Sequence, residues 1–319
     1  MFRTWRGAPL GPSLGAQLEA EFGAPLVTMH RAALQKLLIE AAGADSLMLD
    51  STCEAVDANV DCARAHLDDG RTVGGDILIG ADGIHSIVRR AAFGQTSSAY
   101  AGYTAWRGVV PIDDALQPRI AYGEFLGPGS LFGIASLGGS QVYWWASRRC
   151  PERVRAHPEL EKHQLLQHWG RWADPIPDLL DATPAEAIIR TPLHALPSLR
   201  TLSLGRIALT GDAAHPMLPN LGQGACQAIE DAVELSAALT AETDVTTALS
   251  DYGVRRAKRT ATVLRKTQHI ARLAHLRNPP TAALRNAVLR ATSPAVAMKH
   301  IRPIVGSRIG AGQLGERDD

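Results

Sequence analysis

Residues 205–235, GRIALTGDAAHPMLPNLGQGACQAIEDAVEL, gather the residue types best suited to holding a ligand. The apolar run Ile207 to Thr210 predicts a short strand ending in a polar turn at Gly211 and Asp212. A loop with Pro216 and Pro219 then leads to Gly222 and Gly224. Ala225, Ile229, Ala232, Val233 and Leu235 recur at helical spacing and predict an apolar helix face, with Glu230, Asp231 and Glu234 turned the other way. Glycines let the backbone approach a ligand, and the amides of a helix's first turn are unpaired and carry partial positive charge. An aspartate closing a strand, beside a bare helix N-terminus, suits a polyol chain joined to an electron-rich, anionic group. The same strand, glycine turn and helix also occur in α/β proteins without a cofactor, so spacing alone leaves both readings open.

A second stretch, ILIGADGIHSIVRR at 77–90, runs from a strand into the turn Ala81-Asp82-Gly83, then Ser86 and the basic pair Arg89-Arg90. Read alone, Asp82 is an N-cap for a short helix. Together the two stretches resemble the second FAD-binding motif and the DG motif of the FAD-dependent aromatic hydroxylases, the single-component flavoprotein monooxygenases related to p-hydroxybenzoate hydroxylase, urate hydroxylase and zeaxanthin epoxidase. GDAAHPMLPNLGQGACQAIEDA carries the match for over twenty residues.

The resemblance implies an α/β fold: a three-layer, Rossmann-like FAD-binding domain, an antiparallel-sheet substrate domain and C-terminal helices. The expected division is 1–98 with 199–277 for FAD, 99–198 for the substrate sheet, and 278–319 as a helix and tail. It implies FAD contacts from Gly211, Asp212, Pro219, Leu221, Gly222, Gln223, Gly224 and Ala225, with Asp212 on the ribitol. It also implies Asp82 and Gly83 near the cofactor, Arg89 at NAD(P)H phosphates, Arg31 as an FAD contact and Cys53 where the adenine lies. Arginine's fixed donors suit a pyrophosphate or ribitol, while Arg31 as a solvated helix-end residue and Cys53 as a small packing residue are the alternatives. The implied reaction is hydroxylation or epoxidation of an electron-rich aromatic or alkene with NAD(P)H and O2, by oxygen transfer from a flavin C4a-hydroperoxide. Two other readings stay open: another FAD-dependent oxidoreductase, and a truncated, inactive fragment.

The elements around these motifs are partly legible. A chain of 319 residues, 45% hydrophobic and 20% charged, is large enough for two lobes. A net charge of +1 gives no sign of a nucleic-acid partner. Four scattered cysteines (Cys53, Cys62, Cys150, Cys226) offer neither a disulfide framework nor a metal site. No run is apolar enough to span a membrane, and MFRTWRGAPLGPSLG lacks a signal-peptide core, so a cytoplasmic protein is expected. Residues 26–40 predict a helix with Leu34, Leu37, Leu38 and Ala41 on its apolar face, and Asp69-Gly70 marks a hairpin ahead of a short buried strand at 76–80. AGYTAWRGVV, LFGIASLGG and SQVYWWAS predict an antiparallel sheet, with Tyr143 and Trp145 on one face and Val142 and Trp144 on the other. One of these faces is expected to pack on helices, and the resemblance implies that the sheet roofs the substrate pocket over the flavin, with Tyr143 and Trp145 the candidates, without saying which face does so. Proline-broken helices are expected over 151–204, and a long helix over 246–276 carries a solvated basic side that includes Arg255, Arg256, Lys258 and Arg259.

One departure from the family pattern bears on function. The strand, GxGxxG turn and helix that open the family's FAD domain have no counterpart before Arg31, so part of a βαβ unit of ~30 residues is expected to be missing. The literal GxGxxG at Gly310, Gly312 and Gly315 is a chance match, because only four residues follow it.

Overall fold

The computed structural model describes residues 1–94, 97–112, 122–152 and 156–306. The glycines at 310, 312 and 315 lie outside the described residues. In chain order the elements are β1 (Phe2–Thr4), β2 (Pro9–Leu10), α1 (Gly15–Phe22), α2 (Arg31–Ala42), β3 (Cys53–Ala58), β4 (Ala63–Leu67), β5 (Thr72–Gly75), β6 (Leu78–Gly80), α3 (Ile87–Phe93) and β7 (Ala99–Pro111). They continue as β8 (Gly123–Gly127), β9 (Ser130–Gly138), β10 (Gln141–Arg149), α4 (Pro158–Trp169), α5 (Ile176–Ala182) and β11 (Ile189–Ala195). Then follow β12 (Ser203–Leu204), β13 (Ile207–Leu209), α6 (Gly211–Ala214), α7 (Gly224–Ala241), α8 (Val245–Ala274), α9 (Pro279–Ala291) and α10 (Pro294–Val305). These elements form two compact units, one of Met1–Ser46, Tyr100–Leu193 and Arg272–Gly306, the other built on Leu47–Ala99 and His194–Ala271.

The first unit holds a seven-stranded sheet in the order β11-β7-β10-β9-β8-β1-β2. The three aromatic runs pair antiparallel as expected, with β10 between β7 and β9. The strand period of two sends Val142, Trp144 and Ala146 toward α4 and α5, where they meet Phe132, Leu165, Trp169 and Leu179 in one core. Trp144 stands opposite Gly108, and a Cβ there would lie 2.8 Å from three of its indole atoms, so the ring lies flat on the sheet only because residue 108 is glycine. The core's polar edges are satisfied from within. Trp144 Nε1 donates to Thr183 Oγ1 (2.9 Å), Trp106 Nε1 donates to Glu161 Oε1 (2.5 Å), and Arg190 lies 3.6 Å from the same carboxylate.

Three expectations change in this unit. Residues 189–195 form a strand, β11, rather than a helix. Ile188, Ile189 and Thr191 are β-branched, and Pro192 is tolerated because β11 is the edge strand. Helix α2 starts at Arg31, where His30 Nδ1 accepts the Ala32 amide, and none of its residues is buried; Leu37 and Leu38 are both 57% exposed. The C-terminal segment holds two helices, α9 and α10, where one was expected.

In the second unit β13 pairs parallel with β6 and antiparallel with β12, while β3, β4 and β5 form an antiparallel meander whose last turn contains Gly70 at φ +84°. The strand expected at 76–80 is β6, shorter than expected, with Ile79 44% exposed. The core joins Ile207, Ala208 and Leu209 of β13 to Val88 of α3, Leu235 of α7 and Leu249 and Tyr252 of α8.

The Gly108 contact gives a test of the first unit. Gly108→Ala forces the fully buried Trp144 off the sheet and is expected to destabilise the protein by about 1–3 kcal/mol, read as a lower urea midpoint with changed near-ultraviolet tryptophan dichroism. An unchanged midpoint would contradict the packing described.

Candidate functional site

The loop after β13 is built from short, tightly held pieces. Gly211, at φ +55°, opens the single turn α6, and His215 closes it. A 3-10 turn, Pro219–Leu221, ends on Gly222 at φ +62°, and α7 begins two residues later. Gln223, buried at the N-cap, gives α7 no side-chain cap, and a Cβ added at Gly222 or Gly224 would meet nothing within 4 Å. An uncapped 18-residue helix therefore presents its first-turn amides beside open glycine backbone. Asp212, Pro219 and Ala225 are exposed, and Leu221 is half-buried.

Helix α7 buries Leu235 as expected, but over its first turns the buried side is not the one expected. Ile229 and Val233 are 50% and 40% exposed, and Ala225 and Ala232 also face outward, while Glu230 and Asp231 are 7% and 0% exposed. The reason is Arg256 on α8, itself only 2% exposed and so not on a solvated basic side. Its Nε donates to Asp231 Oδ1 (2.7 Å), its Nη1 to Glu230 Oε2 (2.7 Å), and its Nη2 to the main-chain oxygen (3.1 Å) and Oε1 (3.0 Å) of Gln227. Arg259 adds two bonds to Glu230 (3.1 and 3.2 Å). Burial works against the Arg256 charge, but the two carboxylates outweigh it and raise its pKa. Asp231 Oδ2 in turn accepts the Gly211 amide (2.8 Å) and His215 Nε2 (2.6 Å). Sequence reading missed this cluster. Its signal was the polar set Gln227, Glu230 and Asp231 at helical spacing, matched by Arg256 and Arg259 one helix later.

The second motif splits between capping and buttressing. Asp82 accepts from Ser86 Oγ (2.5 Å), Ile87 N (2.7 Å) and Val88 N (3.2 Å), so its carboxylate caps the start of α3, and Gly83 takes φ +77°. Arg89, expected at NAD(P)H phosphates, is bonded to main-chain carbonyls. It is 1% exposed, and its guanidinium donates to the carbonyls of Ala213 (3.1 Å), Ala214 (2.8 Å) and Pro197 (2.7 Å). It acts on the loop by holding the carbonyl end of α6. Cys53 starts β3, half-buried, its thiol pKa raised by burial and by nearby Asp82. Arg31 is an exposed first residue of α2 in the other unit.

On the large sheet, the face away from α4 and α5 carries Tyr143 and Trp145, stacked at 5.4 Å and both half-buried. Trp145 lies over Gly133, its partner in register, and donates from Nε1 to Glu124 Oε1 (3.1 Å) on β8. Burial pushes the Glu124 carboxyl up to about 6 against the lowering effect of that bond. Burial raises the Tyr143 pKa, and the charge of Arg107 on β7 only partly offsets it. The result is an aromatic platform edged by a carboxyl and a guanidinium.

A family model described as "FAD binding domain" matches residues 14–267. The chain belongs to this family, the FAD-binding proteins of the flavoprotein monooxygenase class. It is 38% identical over 288 residues to an aurachin C monooxygenase/isomerase of Stigmatella aurantiaca, covering 90% of this chain and 75% of that protein. It is 36% identical over 217 residues to the chloroplastic zeaxanthin epoxidase of Solanum lycopersicum, covering 68% of this chain and 32% of that protein. The crystal structure of Klebsiella pneumoniae HpxO complexed with FAD and uric acid superposes with a TM-score of 0.88 at 28% identity, covering 94% of this chain and 78% of that one. Among the described residues no helix is long and apolar enough to cross a membrane, and no cluster of His, Cys, Asp or Glu has metal-ligand geometry.

The raised Glu124 pKa has a definite sign. Below the unfolded carboxyl value the group is neutral in both states; as pH rises through about 6 the folded state pays for ionising it, losing up to about 2 kcal/mol. Glu124→Gln, which keeps an acceptor for Trp145, is expected to match wild type near pH 4 and to be more stable at pH 8 by thermal unfolding. Equal wild-type and variant midpoints at pH 8 would refute the assigned burial.

Proposed function

We propose that this chain carries the flavin loop and the substrate sheet of an FAD-dependent monooxygenase that uses NAD(P)H and O2 to hydroxylate or epoxidise an electron-rich small molecule. The observation that carries the reading is the uncapped N-terminus of α7 behind open glycines, with the outward-facing Asp212 on a turn held by buried partners. These residues fit the ribitol and ring end of FAD: a carboxylate for polyol hydroxyls, and amides with partial positive charge for the electron-rich ring edge. When bound, the flavin supplies the redox chemistry that takes electrons from NAD(P)H and activates O2.

The protein's own residues position and shield. Gly211, Asp212, Gly222, Gln223, Gly224 and Ala225 line the ring and ribitol end, and Pro219 and Leu221 shape the oxygen-reacting side. Asp82 and Gly83 set the neighbouring turn, and Arg31 and Cys53 are further candidate contacts for the rest of the dinucleotide. Tyr143 and Trp145 stack on a planar aromatic substrate. A ring with polar substituents suits Glu124 and Arg107, in keeping with relatives named for urate and 3-amino-4-hydroxybenzoate. Four free thiols suit a reducing compartment, which favours the cytoplasm.

The test is made on purified chain incubated with FAD. Expected are a bound-flavin visible band, NAD(P)H oxidation stimulated by an arene, and a product carrying one atom from 18O2, with Trp145→Ala raising the arene KM by about tenfold, the loss of one aromatic contact. Flavin that is reduced and reoxidised without any labelled product would favour the other oxidoreductase reading.

A further inference from the structure

A single guanidinium, directly on α7 and through Asp231 on the α6 turn, links the two ends of the loop that the FAD reading places at the flavin. Arg256 Nη2 bonds the Gln227 main-chain oxygen in the first turn of α7, and Arg256 Nε bonds Asp231, whose other oxygen holds the Gly211 amide and His215. The α6 turn and the α7 N-terminus are thereby tied to one rigid group, although the loop between them contains Gly222 and two prolines. All the tying groups are buried: Asp231 and Gln227 at 0%, Arg256 and His215 at 2%. None is placed in the cofactor-facing set. His215 Nε2 lies 2.6 Å from Asp231 Oδ2, to which it donates, and its Nδ1 has no partner among the described residues.

We propose that Arg256, through Asp231, and His215 are positioning residues for the cofactor: they set the orientation of Asp212 and of the α7 N-terminus before flavin arrives. This rests on the FAD reading. Preorganisation lowers the ordering cost of binding, so the contribution falls on the ring and ribitol rather than on the pyrophosphate. Asp231→Asn keeps the shape and removes the charge that bridges Arg256 to the α6 turn. His215→Gln leaves the Asp231–Arg256 pair intact, so it reports even if Asp231→Asn fails to fold.

Two readouts on the full chain decide the matter. In the flavin-free protein, hydrogen exchange at 211–215 is expected to accelerate tenfold or more in Asp231→Asn and less in His215→Gln, with core amides unchanged. Well below each variant's thermal midpoint, affinities for FAD and for riboflavin, which lacks the pyrophosphate, are expected to fall by the same factor, about 10- to 100-fold for Asp231→Asn. The band shape of the bound flavin should change with them. Variants that bind both flavins with wild-type affinity and spectrum overturn the proposal, as does a loss for FAD without a loss for riboflavin. Should wild type bind neither flavin, the FAD reading fails. Exchange then decides the locking itself: unaltered rates at 211–215 overturn it, and faster rates confined to that turn support it.

Discussion

The second unit depends on how two carboxylates on α7 are made tolerable indoors. Asp231 and Glu230 face the protein interior, where an unpaired charge costs several kcal/mol, and Arg256 meets both with near-ideal fork geometry. Such a pair adds little net stability compared with an apolar replacement, yet it is directional in a way that packed leucines are not. Once Arg256 is in place, the rotation of α7 about its axis is set, and with it which residues of the loop face outward. The amide of Gly211 and the ring of His215 then have one acceptor available, and the α6 turn follows.

The turn is also held from other directions. Tyr252, fully buried on α8, donates its hydroxyl to the Leu209 carbonyl at the end of β13 (2.9 Å), and Arg89 bonds the carbonyls at the far end of α6. On one short stretch, the Gly211 amide and the His215 side chain are held by Asp231 of α7, and the carbonyls by Arg89 of α3 and Tyr252 of α8. Asp212, between them, points outward. The support for this stretch comes from α3, α7 and α8.

The first unit solves a different problem, the placing of large aromatic rings on both sides of one sheet. Trp144 and Trp145 are adjacent in sequence and point to opposite faces, each lying across a glycine on a neighbouring strand, Gly108 on one side and Gly133 on the other. The inner ring is sealed, with its indole nitrogen satisfied by Thr183. The outer ring stays half-buried, turns its nitrogen to Glu124 and stacks with Tyr143. The same strand thus supplies a core and an aromatic surface that carries polar groups at its edge.

Much of this was determined by the sequence alone. The strand runs of β7, β9 and β10, the hairpin at Asp69-Gly70, the opposite faces of Tyr143 and Trp144, and the two motifs that mark an FAD-binding protein are all local patterns, set by periodicity and turn chemistry within some ten to twenty residues. The tertiary structure decided what those patterns could not encode. Apolar spacing predicted that α7 buries Ile229 and Val233, but Arg256, twenty-five residues after Asp231, turned the charged side inward. The resemblance of the DG stretch implied Arg89 at NAD(P)H phosphates, whereas its carbonyl partners lie more than a hundred residues away in sequence. Residues 189–195 became a strand because the edge of β7 was there to receive them. Propensity and period are properties of a segment, whereas the burial of a charge is settled only when its partner arrives from elsewhere in the chain.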